Sequence, residues 1–430
     1  MSNSVSGRGH PGAEPASTSS PPVFRCARHF LLPALLFWSA RGTAQTVIGG
    51  DGPSCSDCRI TVTTVATLGA SGPGAGWPSS LVRGTDGTLY LAPLDRQTQI
   101  DRYTPVGIHL ATAGRAGDGP GEYRLIRHLN AWAGFIEVFD IRSRRRSVLT
   151  EDLGFIRAHA FPLPADAILR VSPERFILNA EIAGTEHAGM PLHLVDSLGK
   201  VLRSFGGTGY YRRDAAWLLR YRLANARPQE FWAAPQTEYR FTRWSTNGRM
   251  LADYIRTPSW FPPGRRRQFR RDVAPAAMVE AIAEAGDGLL WVVTSVPDRR
   301  WAEQFTDRPA DQAFNGDFGR FLDSIIELID PATAAIVAQV RLDSFVRGFL
   351  DADEAFAYRL DSNGVPYVDV VQLKIEKIPD RGRRCAQSQR QAWRTPTPRE
   401  YGTHMEASDE TARPASVACH RWDQHPRRRP

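Results

Sequence analysis

A β-structured unit recurs along this chain at a nearly constant interval, and that repeat restricts the fold more than any other feature of the sequence. Each unit holds short strand-like runs joined by tight turns, and the turn residues Gly107, Gly154, Gly199 and Gly248 are spaced 47, 45 and 49 residues apart. Four strands per unit at this period are typical of a β-propeller, in which each sheet buries its faces against its neighbours. Six units predict an all-β, six-bladed β-propeller. A β-sandwich and an open β-solenoid are the alternatives.

The strands are clearest in the first unit, where residues 81–84, 88–92, 99–103 and 108–111 predict four antiparallel strands. In the later units the pattern marks two or three strands each. These lie at 135–139, 146–149 and 155–157; 175–178, 192–196 and 201–205; 230–232, 239–241 and 250–254; 287–293, 324–330 and 336–340; and 354–359 and 368–373.

The two ends of the repeat complement each other. The sixth unit lacks a clear fourth strand before Pro379, whereas residues 60–68 form a lone strand before the first unit. We expect this N-terminal strand to pair with residues 368–373, which would complete the last blade and close the ring.

Two insertions interrupt the period. Residues 210–221 carry apolar side chains at helical spacing and predict a short lid helix, and residues 296–321 are rich in aromatics. Long loops in compact domains often carry function. The candidate binding residues are therefore the aromatic and arginine side chains of the insertions: Tyr211, Arg212, Trp217, Tyr221 and Trp301. Packing within a lid is the alternative role for each aromatic, and the arginine run at 265–267 and 270–271 predicts a solvated loop.

The two ends of the chain differ in composition from the repeat. Residues 1–44 resemble a leader with an export signal, because Arg25 and Arg28 precede a short apolar run that ends in small residues, and cleavage is expected near Ala44. The run is too short to cross a bilayer, which takes about 20 residues. Residues 45–380 form the propeller, and residues 381–430 predict a disordered basic tail or read-through in another frame. The mature chain is expected to be secreted or periplasmic, without a transmembrane segment.

Net charge argues against a nucleic-acid partner. The chain carries +8, of which the leader holds +3 and the tail +6, so that residues 45–380 carry −1. A nearly neutral body lacks the basic surface that nucleic-acid binding requires.

Cys55 and Cys58 have the spacing of a redox pair or half a zinc site. A zinc site needs a second pair of ligands at matching spacing, whereas Cys385 and Cys419 are isolated. A strand follows Cys58 directly, where a redox centre of thioredoxin type would have a helix. A local disulfide or simple thiols are therefore the favoured interpretations.

A glycine-rich loop separates the first two units. Gly119, Pro120, Gly121 and Glu122 are assigned as a structural loop, since glycine and proline set backbone angles that a tight turn requires. We expect the Glu122 carboxylate to accept backbone N–H groups of this loop; a role as general base or ligand is the alternative.

These motifs resemble those of a known family. The chain resembles the exported bacterial six-bladed β-propeller proteins, which are related in fold to NHL-repeat and TolB-like propellers. The motifs that carry this resemblance are Cys55-x-x-Cys58, Asp86-Gly87-x-Leu89-Tyr90 and the loop ending Gly119-Pro120-Gly121-Glu122-Tyr123. The resemblance is strongest over residues 55–155. It implies a six-bladed fold and export, and it implies no established activity.

Two functions from different classes are consistent with the sequence. Compact catalytic motifs are missing, so no catalytic residue is assigned and a binding or scaffold module for a peptide, glycan or protein partner is favoured. We expect a monomer without a cofactor. The alternative is a hydrolase or lyase with a divalent cation at the central channel, which would need His, Asp or Glu from three or more blades. The metal ligands cannot be chosen from sequence, although His187 and His193 form a loose cluster with Glu181, Glu186 and Asp196.

Overall fold

The six-bladed β-propeller predicted from the repeat is confirmed. The computed structural model describes residues 44–50, 52–182, 186–207, 213–305 and 318–377, and nearly all regular elements among them are strands in antiparallel sheets. The leader up to residue 43 and the predicted tail lie outside the described residues.

Two strands precede the first blade, and three blades of four strands follow. The leading strands are β1 (Gln45–Val47) and β2 (Cys58–Leu68). Blade 1 contains β3 (Pro78–Arg83), β4 (Leu89–Pro93), β5 (Ile100–Tyr103) and β6 (His109–Ala113). A short parallel pair, β7 (Arg115–Ala116) and β8 (Glu122–Tyr123), leads to blade 2. Blade 2 contains β9 (Ile126–Trp132), β10 (Phe135–Asp140), β11 (Arg145–Thr150) and β12 (Phe155–Ala160). Blade 3 contains β13 (Ala165–Ser172), β14 (Arg175–Ala180), β15 (Leu192–Asp196) and β16 (Val201–Phe205).

The second half of the ring repeats this arrangement. Blade 4 contains β17 (Tyr221–Asn225), β18 (Glu230–Pro235), β19 (Arg240–Ser245) and β20 (Met250–Ile255). Blade 5 contains β21 (Met278–Glu284), β22 (Leu290–Pro297), β23 (Leu322–Asp330) and β24 (Ala335–Leu342). Blade 6 contains β25 (Phe345–Asp351), β26 (Glu354–Leu360) and β27 (Pro366–Lys377). The first strand of each blade is the innermost, and these six strands contact one another around the central channel.

The ring is closed by the N-terminal strand, as the sequence predicts. Strand β2 pairs antiparallel with β27, from Cys58 opposite Lys377 to Leu68 opposite Val368, and so becomes the fourth strand of blade 6. Leu68 is fully buried in a core that also contains Leu91 and Tyr358, so this strand joins blade 6 to blade 1. Gly107 lies so near Thr67 of this strand that an added Cβ would stand 2.4 Å from the Thr67 carbonyl oxygen.

The segment before β2 ties further blades together along the rim. Strand β1 adds to blade 4 parallel to β20, and the Ile48 N–H continues this pairing by donating to the Ile255 carbonyl (2.9 Å). The N–H groups of Gly49 and Ser54 then donate to the carbonyls of Ala334 and Ile336 in blade 5, at 3.0 and 2.7 Å. A disulfide joins Cys55 to Cys58, where the chain enters blade 6.

The structure differs from the prediction for the first insertion, and it contains elements that the sequence did not indicate. The predicted helix over 210–221 is a 3₁₀ helix at Arg213–Leu219, and Tyr221 already belongs to the innermost strand of blade 4. The innermost strands of blades 3 to 6 were not recognised in the sequence, and that of blade 2 is indicated only by the apolar alternation of Leu125, Ile126 and Leu129 after the glycine-rich loop. Two further 3₁₀ helices lie at Trp301–Phe305 and Phe318–Arg320. None of the described helices is long and apolar enough to cross a membrane.

Closure by β2 predicts a difference between two positions of that strand. Leu68→Ala should lower the free energy of unfolding by about 3 kcal/mol, because it opens a cavity between blades 6 and 1. Val65→Ala, at a position 42% exposed, should change it by less than about 0.5 kcal/mol. Urea denaturation of both variants measures these values. Equal effects at the two positions would contradict the role assigned to the buried face of β2.

Candidate functional site at the channel mouth

One residue from the innermost strand of each blade lies at one mouth of the central channel, around an open cavity of about 850 Å³. We call these six residues the channel ring; in order around the molecule they are Ser79, Arg127, Asp166, Arg222, Glu280 and Arg347.

Local irregularities place most of the ring residues. In blade 2, Phe139 pairs with His128 and Asp140 pairs with Ile126, so Arg127 is the extra residue of a β-bulge. Ser79, Asp166, Glu280 and Arg347 occupy the same position in the bulges of their own blades. Only Arg222, among the six, sits in regular pairing. Bulges bend a strand and redirect a side chain, and they recur beside functional sites.

The charges of the ring alternate until they reach blade 1. Asp166 lies between Arg127 and Arg222, and Glu280 lies between Arg222 and Arg347. Ser79 occupies the remaining position, between Arg347 and Arg127, where a continued alternation of charge would place a carboxylate. The ring therefore holds three guanidinium groups against two carboxylates.

Glu280 is the best-paired member of the ring. Its Oε1 accepts from Arg267 Nη1 (2.8 Å) and from the Ser295 hydroxyl (2.7 Å), and its Oε2 accepts from Arg222 Nη2 (3.1 Å) and Arg347 Nη1 (3.2 Å). Burial alone would raise the pKa of Glu280, but Arg267, Arg222 and Arg347 outweigh it and lower the pKa to about 2. The carboxylate is ionised and saturated, and it acts as an anchor for three arginines.

Arg267 reaches this anchor from the segment predicted to be a solvated loop. Arg265, Arg266, Arg270 and Arg271 are exposed, as expected, but Arg267 is half-buried and donates from Nε to the Ala276 carbonyl (3.0 Å) as well as to Glu280. The prediction is therefore wrong for this one residue, because a carboxylate thirteen residues further along the chain draws its side chain inward.

Arg222 is paired through Nε and Nη2. Besides its bond to Glu280, Arg222 donates from Nε to the Gln236 amide oxygen at 3.1 Å, in the orientation of the Gln236 amide that turns its oxygen toward Arg222. Burial lowers the pKa of Arg222 to about 10, with Arg347 adding to the shift and Glu280 opposing it. The side chain nevertheless stays charged at neutral pH.

Two arginines of the ring keep open donors. Arg127 has no hydrogen-bond or salt-bridge partner for its guanidinium within the described part of the chain, and Arg347 uses only Nη1, leaving its buried Nε–H without an acceptor there. Burial lowers the pKa of Arg127; Asp166 opposes that shift, and Arg222 and Arg220 add to it. Burial also lowers the pKa of Arg347, with Arg127 among the charges that contribute. Both open guanidinium groups flank Ser79.

His128 lines the same cavity as a neutral side chain. Its Nε2 lies 3.0 Å from the Ala165 carbonyl oxygen, so this nitrogen carries the proton. Burial lowers the pKa of His128 to about 4; the Ala165 carbonyl opposes that shift, and Arg127, Arg222 and Arg347 add to it. His128 adds no positive charge to the site at neutral pH.

An aromatic wall borders the gap in the ring. Trp77 lies two residues before Ser79 and stacks on Phe345, which lies two residues before Arg347, with ring centroids 5.6 Å apart. Phe318 and Tyr358 pack against the same indole at 4.2 and 4.7 Å. The cavity thus combines cationic side chains with an apolar face at the junction of blades 6 and 1.

The binding residues predicted from the insertions are only partly brought together. Tyr221 lines the cavity, and burial raises its pKa to about 12. Trp217 is half-buried in the 3₁₀ helix before blade 4, and Trp301 packs edge-on against Phe305 away from the cavity lining. Tyr211 and Arg212 lie outside the described residues.

The glycine-rich loop braces blades 1 and 2 and does not line this cavity. Glu122 Oε2 accepts from the Gly119 N–H (2.8 Å), and Glu122 Oε1 accepts from Arg115 Nε (2.9 Å). An added Cβ at Gly117 would stand 2.1 Å from the Glu122 carboxylate, so the close approach requires glycine. Pro120 and Gly121 complete the turn, with Gly121 at a φ of 71°.

The histidine cluster of blade 3 is a hydrogen-bond network around a hydroxyl. Ser204 Oγ lies 2.8 Å from Nδ1 of both His187 and His193, and His193 Nε2 lies 3.1 Å from the Ala180 carbonyl oxygen. Burial lowers the pKa of His193 to about 4, so its Nδ1 accepts from Ser204. Across the described residues, no group of three or more His, Cys, Asp or Glu side chains is placed to hold a metal ion.

Comparison with known proteins supports the fold. Neither a family model nor a curated protein matches this sequence. An exported-protein candidate from Bacteroides fragilis aligns over 77% of this chain and 99% of its own, with a TM-score of 0.50 and 12% identity. A member of the DUF4221 family from Bacteroides vulgatus aligns over 74% of this chain and 99% of its own, with a TM-score of 0.51 and 8% identity. At these identities the likeness shows the fold alone; the finer NHL or TolB relationship stays a prediction.

The saturated pairing of Glu280 predicts a pH-dependent contribution to stability. Glu280→Gln should lower the free energy of unfolding at pH 7 by about 3 kcal/mol, because it leaves buried arginines without their counter-charge. The folded pKa of about 2 lies below the ordinary glutamate pKa of 4.5, so this contribution is complete above pH 4.5 and is lost as the pH falls toward 2.

Urea denaturation of the wild type and Glu280→Gln at several pH values measures this difference. His128 titrates in both proteins, so its own loss of stability in acid cancels in the comparison. A difference in the free energy of unfolding between the two proteins that stays constant from pH 7 to pH 2 would contradict the pairing.

Proposed function

We propose that this propeller is an exported binding module that takes a small anionic ligand at the mouth of its channel. One observation carries the proposal: Arg127 is held in the cavity by a β-bulge, without a partner in the described chain, beside an incompletely paired Arg347. Keeping a partly buried guanidinium unpaired costs stability, and sites that tolerate such a cost are typically those at which a ligand supplies the missing group.

The dimensions of the cavity favour a small ligand or the end of a larger one. About 850 Å³ falls within the range of small-molecule sites, and a folded protein partner would not enter it. Of the ligand classes considered from sequence, a peptide with a free C-terminus and an acidic sugar carry the required charge, whereas a neutral glycan does not.

The chemistry of the lining supports binding over the alternative of a metal-dependent hydrolase or lyase. That alternative needs acidic or histidine ligands converging from three or more blades. His128, Asp166 and Glu280 line the cavity from three blades, but no group of three such side chains among the described residues is placed to hold a metal ion. Glu280 is saturated by four donors, and the pKa of His128 is about 4, too low for an efficient base near neutral pH.

The export part of the proposal has separate support. The leader sequence resembles an export signal, and disulfides such as Cys55–Cys58 persist mainly in oxidising compartments.

Removal of one guanidinium tests the anion site. The wild type should bind at least one of acetate, benzoate, sulfate and phosphate in low-salt buffer, as measured by isothermal titration calorimetry, and Arg127→Gln should bind it at least tenfold more weakly. Arg265→Gln, which removes an exposed arginine from a loop outside the cavity, should stay within about twofold. Binding should weaken as salt is added, because the attraction is electrostatic.

Thermal unfolding supplies the control for folding. Arg127→Gln should have an unfolding midpoint equal to or above that of the wild type, since burial disfavours the charged form of Arg127 in the folded protein. A folded wild type that binds none of the four anions, or equal binding by Arg127→Gln and Arg265→Gln, would refute the proposed function.

A further inference from the structure

Resting on that proposed function, we infer that the ligand presents a single carboxylate, which enters the gap of the channel ring beside Ser79, between Arg127 and Arg347. An apolar or aromatic body attached to this carboxylate lies against Trp77.

The pairing in the rest of the ring defines what is missing at blade 1. Glu280 accepts from the ring arginines on both of its sides, Arg222 and Arg347. Asp166 stands between Arg127 and Arg222 and approaches Arg220 Nε at 3.7 Å. Ser79 is the one ring position where two arginines face each other without an acid between them. A carboxylate supplied from solution would give this position the pairing that Glu280 has.

Space and donors are both present at the gap. Ser79 has a small side chain, and its hydroxyl donates to the backbone carbonyl of Arg127 at 3.0 Å, so it is turned toward the protein. The guanidinium of Arg127 and the Nε–H and Nη2 of Arg347 find no acceptor in the described chain. Planar guanidinium groups match the two oxygens of a carboxylate in bidentate geometry.

The missing acid and the aromatic wall set the class of ligand. Within the channel ring three arginines face two acids, and blade 1 is the position without an acid, so one carboxylate completes the alternation. Trp77 and Phe345 stack on each other at the junction of blades 6 and 1, beside the gap, and both line the cavity. An apolar body attached to the carboxylate would bury its surface there.

A carboxylate built into the protein at the gap tests this placement against a neutral side chain of the same shape. Calorimetric titrations with benzoate, acetate and phosphate compare the wild type, Ser79→Asp and Ser79→Asn. We expect the wild type to bind benzoate at least tenfold more tightly than acetate, and more tightly than phosphate. Ser79→Asp should bind benzoate at least tenfold more weakly than Ser79→Asn, because its carboxylate occupies the gap.

Ligand-free unfolding provides a second measurement that does not depend on binding. Ser79→Asp should unfold at a higher temperature than Ser79→Asn, since the aspartate pairs with Arg127 and Arg347. Equal benzoate affinities of the two variants, at any level, or a lower midpoint for Ser79→Asp, would overturn the placement.

The outcomes separate this inference from the proposed function. If the wild type binds an anion through Arg127 but Ser79→Asp and Ser79→Asn behave alike, the anion site stands and only its location beside Ser79 fails. If phosphate binds more tightly than benzoate, the carboxylate assignment fails. If the folded wild type binds no anion, both proposals fail.

Discussion

The pairing of β2 with β27 is the interaction on which the rest of the molecule depends. A propeller blade exposes two faces, and only a closed ring buries both, so the last blade must be joined to the first. Here the closing strand also leads directly into Trp77 and Ser79, while Arg347 belongs to the blade that it completes. The seam of the ring and the open part of the site therefore coincide. Whatever fixes the distance between blades 6 and 1 also fixes the width of the gap between Arg347 and Arg127.

How far the sequence could predict the molecule depended on which strand of a blade was considered. Several of the strands next to the innermost ones are short, almost continuous apolar runs bounded by turn residues, and such runs are readable without a structure. The innermost strands of blades 3 to 6 escaped recognition, because a charged residue interrupts the apolar pattern of each, as Glu280 does between Val279 and Ala281. These charged residues belong to the site, and in blades 3, 5 and 6 a β-bulge places them. One such residue per blade, at intervals of 39 to 67 positions, forms no local motif.

Arg267 shows why the remainder could not be predicted. It lies in a run of arginines whose composition indicates a solvated loop, and Arg265 and Arg266 beside it are exposed. Its burial depends on Glu280, which depends in turn on Arg222 and Arg347 from two other blades. A buried charge is tolerated only where oppositely charged partners lie beside it. Closure of the ring brings these partners together. The aromatics of the insertions gave a stronger local signal, yet of those within the described residues only Tyr221 and Phe318 line the cavity.

The ring divides into a satisfied part and an unsatisfied part, and the division explains how one site can be both rigid and open. Around Glu280, four hydrogen bonds fix the positions of Arg222, Arg267 and one arm of Arg347. Across the channel, Arg127 stands without a partner, held in place by the backbone of its bulge. The bond from Nη1 to Glu280 fixes the Arg347 side chain before any ligand arrives, so less ordering is required on binding. A carboxylate at Ser79 would contact guanidinium groups from blades 2 and 6 at once. Because these blades flank blade 1 at the seam, such a ligand would reinforce the junction that the N-terminal strand creates.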